Sequence, residues 1–169
     1  FVATHKDPGS YFRFLRLVPN QGDLQVSQSV PLECWRAKAG ADVARTLALE
    51  TGAPITILRR LLKLGEEPVV FDEIYLPSEL FPDLSLEVLR SGESLYSLFE
   101  TRYGVRMIRA DERLRAVSAD RVSAELLQVA EGSPLLLVER VTFTYGHKPV
   151  EWRRGFYSTR NYHYHNELG

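Results

Sequence analysis

The sequence predicts an α+β fold, a mostly antiparallel sheet of about six strands with helices inserted between its hairpins. Two stretches, residues 54–77 and 134–157, carry this prediction. Each contains two runs of branched and aromatic residues on either side of a Gly-x-x-Pro turn, which is the pattern of a β-hairpin. Each is also preceded by a segment whose apolar residues have helical spacing.

The two stretches match in further details, which predict an internal duplication. Each opens with Gly-x-Pro and places an arginine, Arg60 or Arg140, six residues after that proline. Each preceding helix pattern starts at an Ala-Asp pair. We expect Asp42 and Asp120 to be N-caps, because their side chains can accept from unpaired backbone N–H groups. Two units are too few for a solenoid, so one pseudo-symmetric domain with a shared sheet is expected.

Before the first repeat, the chain predicts a linker and two strands. Residues 1–10 include a Pro-Gly pair and are expected to be a linker, with the domain itself spanning residues 11–169. The pattern of residues 11–18 predicts a short strand. Residues 25–38 alternate as a longer strand, which Pro31 places at a sheet edge or at a bulge because proline lacks a backbone donor. One face of that strand is predicted to hold Val26, Val30, Leu32 and Cys34.

Between the repeats, the sequence predicts two short helices and a strand. The helices are expected around residues 86–90 and 94–103, and Gly104 suits the C-cap of the second. Residues 106–118 alternate as a strand, with charged residues at the odd positions from 109 to 115 on a solvated face. The inward face is predicted to hold Ile108, Ala110, Leu114 and Ala116.

The composition limits the class of protein. The chain has 169 residues, 44% of them hydrophobic, 25% charged and a formal net charge of −1. A nearly neutral chain has no basic surface with which to hold nucleic acid by itself. The single cysteine, Cys34, excludes an internal disulfide and is expected to be a small core residue. Because no apolar run approaches about 18 residues and no signal peptide is visible, we expect a cytoplasmic protein without membrane contact.

Sequence motifs of catalysis are absent. The chain has no Gly-x-Ser-x-Gly, no Gly-rich phosphate loop, no HExxH and no Cys-x-x-Cys. His163 and His165 could share one face of a strand, but a structural zinc site needs four ligands and no partner set is evident. We therefore expect neither a metal nor a cofactor.

A set of binding groups stands out instead. Arg60 offers a fork of donors suited to a carboxylate or phosphate. Ser94 starts a helix, where free backbone N–H groups attract an anion. Asp72 and Glu151, on the return strands of the two hairpins, suit hydroxyl or amine groups, although each charge alone could form a surface salt bridge. Gly155, among large residues, is expected to leave space. The predicted ligand-binding set is Arg60, Asp72, Ser94, Tyr96, Glu151 and Tyr157.

An ordered series of short motifs supports a family resemblance. The series is Arg60, Gly65-x-x-Pro68, Ile74-Tyr75-Leu76-Pro77, Leu80-Phe81-Pro82, Ser94-Leu95-Tyr96, Tyr103-Gly104, Leu127, Gly132-Ser133-Pro134-Leu135-Leu136, Arg140, Gly146-x-x-Pro149-Val150-Glu151 and Tyr157. From about residue 26 to 165, it resembles the UTRA domain, the effector-binding half of HutC-type, GntR-family bacterial transcription regulators. The resemblance implies a chorismate-lyase-like fold, a homodimer and a preceding winged-helix DNA-binding domain. The start at Phe1 rather than Met fits such a preceding segment.

The resemblance also implies roles for the six predicted residues, each of which matches a binding position of the family. Sugar-phosphate-sensing members carry a second basic residue two positions after the first, where this chain has Leu62. We therefore expect a monoanionic or zwitterionic effector, such as a carboxylate metabolite, in preference to a sugar phosphate. Its binding would reposition the N-terminal segment and so control DNA binding allosterically.

Two other functions stay open on the sequence alone. The same fold could support a chorismate-lyase-like enzyme, since that chemistry needs mainly oriented charges. An exposed sheet edge could instead make the chain a protein-binding module. The hairpin register also stays open, because a slip of one residue would exchange Asp72 for Glu73 on the pocket face.

Overall fold

The computed structural model describes residues 15–167. The predicted linker at residues 1–10, and the first four residues of the strand predicted at 11–18, lie outside the described residues. Within the described part, the elements in chain order are β1 (Leu17–Pro19), β2 (Ser27–Lys38), α1 (Ala41–Thr46), β3 (Pro54–Leu64), β4 (Glu67–Pro77), α2 (Leu86–Leu89), α3 (Leu95–Tyr103), β5 (Arg109–Ser118), α4 (Arg121–Leu127), β6 (Pro134–Thr144), β7 (Lys148–Tyr157) and β8 (Tyr162–Tyr164).

Six of these strands form one antiparallel sheet, in the order β2-β3-β4-β7-β6-β5. The predicted α+β class and both predicted hairpins are therefore confirmed. The hairpins, β3–β4 and β6–β7, lie side by side because β4 pairs with β7 at the centre of the sheet. β1 and β8 form a separate two-stranded ribbon.

The backbone of the first half recurs in the second half, eighty residues later. Ala39 N donates to Ala53 O at 2.8 Å, and Ala119 N donates to Ser133 O at 2.7 Å. The glycines that open the two Gly-x-Pro motifs have φ of +87° and +85°, a conformation that favours glycine because a Cβ would clash there. The origin of this repeat in a duplication stays a prediction.

One face of the sheet is covered by α1 and α4, the helices of the two repeats. α4 packs Ala124 and Leu127 against Phe71, and α1 packs Ala44 against Ile55. This burial of apolar surface holds both helices, each of which is too short to be stable alone.

The opposite face is covered by α3 and by the β1–β8 ribbon. α3 places Leu95 and Phe99 in a buried cluster with Leu58. The ribbon places Leu17 and Tyr162 in a second cluster. Because side chains alternate along a strand, Arg60, two residues after Leu58 on β3, lies on this same face. Charged residues at the matching positions of β4, β6 and β7 lie there too.

Only one of the two predicted N-caps is confirmed. Asp120 accepts from Ser123 N at 2.8 Å and forms a capping box with Ser123. The prediction for Asp42 is wrong, because Gly40 is the N-cap of α1 and Asp42 lies within the first turn. There the Asp42 carboxylate accepts from Arg45 at 2.7 Å, and its negative charge suits the positive end of the helix dipole.

β2 is an edge strand with a bulge between Pro31 and Glu33, as the proline predicts. The bulge adds a residue to the strand and so changes which side chains share a face. Cys34 therefore packs with the α3 cluster, whereas Val30 and Leu32 pack with the α4 cluster. The predicted common face is wrong, and Val26, placed on it, precedes the strand and is 86% exposed.

β5 is the other edge strand, and its predicted inward face is largely uncovered. The strand begins at Arg109 instead of residue 106. Leu114 is 45% exposed, Ala116 is exposed, and Ile108 just before the strand is 38% exposed. The α3 layer does not extend over this edge, so alternation alone placed these residues wrongly. None of the described helices combines the length and the apolar character needed to cross a membrane.

Candidate functional site

A cavity of about 330 Å³ lies over the sheet beside α3 and the segment before β1. Its volume is at the lower end of the range for small-molecule sites, about 300–1,000 Å³. The described residues that line it include three arginines, Arg60 on β3, Arg140 on β6 and Arg153 on β7. Each of these arginines is paired with its own carboxylate.

Arg60 pairs with Asp72 across the first hairpin. Its Nε donates to Asp72 Oδ2 at 2.9 Å, and Asp72 is only 1% exposed. The register joins these two residues directly, and Glu73 pairs instead with Arg59 on the opposite face. The register therefore places Asp72, and not Glu73, on the face of the sheet that carries the cavity. Burial lowers the pKa of Arg60, and the neighbouring charge of Arg153 lowers it further.

Arg153 pairs with Glu151, which is fully buried. Arg153 Nη2 donates to Glu151 Oε2 at 2.8 Å. The other carboxylate oxygen, Oε1, accepts from the Tyr96 hydroxyl at 2.6 Å and from the Thr142 hydroxyl at 3.1 Å. Burial disfavours the charged form of Glu151, but the charge of Arg153 and the hydrogen bonds from Tyr96 and Arg153 outweigh it and lower the pKa of the carboxyl.

Arg140 pairs with Glu112 on β5. Arg140 Nε donates to Glu112 Oε2 at 2.8 Å, and Arg140 Nη1 donates to the Tyr96 hydroxyl at 3.3 Å. The second oxygen of Glu112 accepts from the Tyr164 hydroxyl at 2.6 Å. Desolvation opposes the charge on Glu112, but Arg140 and Tyr164 lower the pKa of its carboxyl below the usual value. Tyr96 therefore lies between two of the three ion pairs.

An aromatic ring packs against one of the three arginines, Arg153. The guanidinium carbon of Arg153 lies 5.0 Å from the centre of the Tyr96 ring, a cation–π distance.

The predicted space at Gly155 is filled, because a Cβ there would lie 2.7 Å from Tyr157 Cε1 and 2.8 Å from Asp72 Oδ1. Burial raises the pKa of Tyr157 to about 12, so this hydroxyl stays protonated near neutral pH.

The start of α3 forms the rim of the cavity. α3 starts at Ser94 as predicted, with Ser94 as its N-cap, and the Ser94 side chain makes no capping hydrogen bond. It lines the cavity together with Glu93 and is exposed to solvent. The Glu93 carboxylate accepts from Ser97 at 2.7 Å and from Thr101 at 3.0 Å. The rim therefore presents one acidic group and the positive end of a helix of nine residues.

Four of the six predicted residues, Arg60, Ser94, Tyr96 and Tyr157, line this cavity. Asp72 and Glu151 lie behind the arginines that they pair with. Their roles in ligand binding stay predictions.

Sequence reasoning missed Arg140 and Arg153 as site residues. Signals for both were present, since Arg140 is the repeat equivalent of Arg60 and Arg153 shares a strand face with Glu151. Glu112 was missed because it lies within a charged run that is typical of a solvated face.

The two other candidate groups from the sequence have ordinary partners. His163 Nδ1 lies 2.9 Å from Asn20 Oδ1, and its ring centre is 6.2 Å from that of His165. Within residues 15–167, no cluster of three or more His, Cys, Asp and Glu side chains could hold a metal ion. Cys34 is half-buried with Sγ 3.7 Å from Leu84 O, and burial raises the pKa of its thiol.

Comparison with known proteins gives concordant matches. A family model described as the UTRA domain matches residues 25–163. A solved ligand-binding domain assigned to a GntR-family transcriptional regulator of Bordetella bronchiseptica is 46% identical, with a TM-score of 0.88. That match covers 92% of this chain and 98% of the solved one.

Matching curated proteins are longer than this chain. The HTH-type transcriptional regulator Rv0792c of Mycobacterium tuberculosis is 34% identical over an alignment of 113 residues, and the match covers 64% of this chain and 40% of that protein. The HTH-type transcriptional regulator GgaR of Escherichia coli is 27% identical over 115 residues, 68% of this chain and 44% of that protein. The chain thus spans less than half the length of these curated relatives.

Proposed function

Because this chain belongs to the UTRA domain family, as its motifs predict, we propose that the arginine-lined cavity binds a small monoanionic or zwitterionic effector. The matched proteins are transcriptional regulators, so the chain is a ligand-sensing domain rather than a chorismate-lyase-like enzyme. One observation carries the proposal for the site. Three largely buried guanidinium groups meet at one cavity of small-molecule size.

The charge balance of the site favours a monoanion over a dianion. Three carboxylates, on Asp72, Glu112 and Glu151, already match the three arginines one to one. A dianionic phosphate would therefore add more negative charge than the wall can balance. The absence of a basic residue at Leu62 no longer supports the choice of a monoanion, because Arg140 and Arg153 from the second hairpin also line the cavity. The one-to-one pairing of the charges supports it instead.

Unused donors remain for a ligand. The Nε of Arg153 is buried and has no hydrogen-bond partner among the described residues. The Ser94 hydroxyl makes no capping bond, and Glu93 at the rim could meet the cationic group of a zwitterion. A buried donor without a partner costs free energy, so an acceptor brought by the ligand would recover it.

The function of the whole regulator follows as part of the proposal. The matched curated relatives are HTH-type regulators that are longer than this chain, and the matched regions are 40% and 44% of their lengths. We propose that a winged-helix DNA-binding domain is attached to this domain and that the effector controls its affinity for DNA. Couplings of this kind are typically about 1–3 kcal/mol.

A hydrogen-bonded path offers the physical link between the cavity and the N-terminal segment. Arg140 lines the cavity and holds Glu112, which accepts from Tyr164 on β8. Tyr164 pairs with Leu17 on β1, and Leu15, two residues earlier, itself lines the cavity. An anion that draws Arg140 towards itself would therefore shift Glu112 and change its hydrogen bond with Tyr164 on the ribbon.

Tyr164→Phe tests this path, because it removes the hydroxyl that Glu112 holds. In the unmodified chain, we expect a bound anion to change amide hydrogen exchange in β1 and β8 by about fivefold or more. In Tyr164→Phe, the anion should still bind but this change should disappear. The control is Tyr162→Phe, whose hydroxyl on the same ribbon donates to Glu67 at 2.7 Å. If the bound anion changes hydrogen exchange in β1 and β8 of Tyr164→Phe as much as in the unmodified chain, the path is refuted.

A homodimer is the last part of the proposal. β5 is an open edge whose backbone groups can pair with another strand, and Leu114 and Ile108 are exposed there. Light scattering is expected to give about twice the 19.3 kDa of one chain, and Leu114→Lys is expected to shift the mass towards the monomer. A monomer at every concentration would contradict this expectation.

The binding proposal is tested by thermal unfolding in the presence of small metabolites. A ligand at about 100 times its Kd stabilises by about 2.7 kcal/mol, which should raise the Tm by roughly 5–10 °C for a chain of this size. We expect carboxylates and amino acids to stabilise more than sugar phosphates or amines. Stabilisation by amines alone would contradict the proposal, and no stabilisation by any metabolite would favour the protein-binding alternative.

A further inference from the structure

A second cavity, of about 590 Å³, continues from the first along β2. We call the cavity with the three arginines the cationic lobe and this one the outer lobe. Arg60 and Leu95 line both lobes, so the lobes meet beside the Arg60 guanidinium. Residues of the α2–α3 connection, Gly92 and Glu93, also border both. The two lobes together form one continuous cleft.

The walls of the outer lobe differ in chemistry from those of the cationic lobe. Most side chains that line only the outer lobe are apolar, and its polar exceptions, Gln28 and Arg90, are exposed to solvent. The buried part of the wall comes from β3 and α3. The apolar side chains of this wall are those of Pro31, Leu58, Leu89 and Leu98.

We propose that the effector is an elongated anion, with its anionic head in the cationic lobe and an apolar body in the outer lobe. This inference rests on the proposed function, since it places the head where the arginines lie. Apart from Arg60 at the junction, the buried residues that line the outer lobe are Leu58, Leu95 and Leu98, so a polar body would lose its water there without gaining partners. An apolar body gains free energy in proportion to the surface that it buries.

The Pro31 bulge of β2 shapes this lobe. Pro31 pairs with Arg60 in the register, which places its ring next to the junction of the two lobes. Beyond the bulge, Cys34 packs into the core instead of lining the cleft. The outer lobe therefore ends where the bulge turns the strand, and this sets a limit to the length of the apolar body.

A series of straight-chain monocarboxylates from acetate to octanoate tests the inference by calorimetry. We expect the affinity to rise about fourfold for each added methylene and to level off once the outer lobe is filled. Alkylammonium ions of the same lengths keep the chain but reverse the charge of the head. They are expected to bind at least tenfold more weakly than the carboxylates.

Leu89→Trp provides the matched variant, because the larger ring fills the outer lobe from its half-buried position on α2. Octanoate should then bind no better than butyrate, whereas acetate and butyrate should bind as before. Leu86→Trp, on the same helix and outside the lining of both lobes, is the control.

Each outcome of the series has a separate meaning. Binding that needs Arg60 but does not depend on chain length would overturn the elongated effector and leave the proposed function standing. No binding of any carboxylate would overturn the proposed function itself. A rise with chain length that is equal for carboxylates and alkylammonium ions would show unspecific apolar binding, and would overturn the inference even if Leu89→Trp fails to fold.

Discussion

Glu151→Ala is expected to lower the free energy of unfolding by about 3–5 kcal/mol. The substitution removes the carboxylate that holds Arg153, and it leaves that guanidinium buried without its partner charge. The hydroxyls of Tyr96 and Thr142 lose their acceptor at the same time. Urea denaturation followed by circular dichroism measures the change. Glu151→Gln keeps an acceptor but not the charge. Its free energy of unfolding should lie between that of Glu151→Ala and that of the unmodified chain.

Glu125→Ala is the matched control for this prediction. Glu125 pairs with Arg121 on the surface of α4, with side chains 72% and 82% exposed. Exposed pairs of this kind contribute about 0.3–0.5 kcal/mol, so its loss should change the stability very little. If Glu151→Ala unfolds within about 1 kcal/mol of the unmodified chain, the buried pair cannot have the importance that its burial indicates.

Arg60→Ala is expected to weaken binding of the anion by about 1.5–3 kcal/mol, a loss of roughly 10- to 150-fold in affinity. The reason is that a hydrogen bond between two charged groups disappears from the junction of the two lobes. Calorimetry with the anion that raises the Tm most in the metabolite screen measures the loss. An unchanged affinity would mean that the cavity is not the binding site.

Arg59→Ala is the control for Arg60→Ala, since the adjacent side chain lies on the opposite face of the sheet and pairs with Glu73 at 2.9 Å. Its affinity for the anion should match that of the unmodified chain. Arg60→Ala also leaves Asp72 buried without its partner. A double variant, Arg60→Leu with Asp72→Leu, removes both charges and shows whether lost binding follows from the site or from unfolding.

The elements that the sequence predicts well are those governed by local rules. The two hairpins follow from β-formers around Gly-x-x-Pro, and α4 follows from Asp120 before an apolar pattern. Ser94 and Gly104 mark the two ends of α3. These signals involve neighbouring residues only, and a short segment carries them whatever the rest of the chain does.

The errors arise where distant parts of the chain decide. Leu114 has the alternation of a buried face, but it is exposed because no layer covers the β5 edge. Cys34 lies on a different face from Val30, because the bulge at Pro31 changes the phase of β2. Asp42 looks like an N-cap, but the helix begins one residue earlier, at Ala41, so Gly40 takes that position.

By itself, the sequence determined the fold class and the family, and it pointed to one of the three arginines that line the cavity. Only the tertiary structure decided which charges meet. β4 pairs with β7, and this single contact between the two hairpins places Arg60, Arg140 and Arg153 on one face of the sheet. The physical reason is that alternation fixes a face within each strand, whereas the pairing of strands far apart in the chain fixes which faces join.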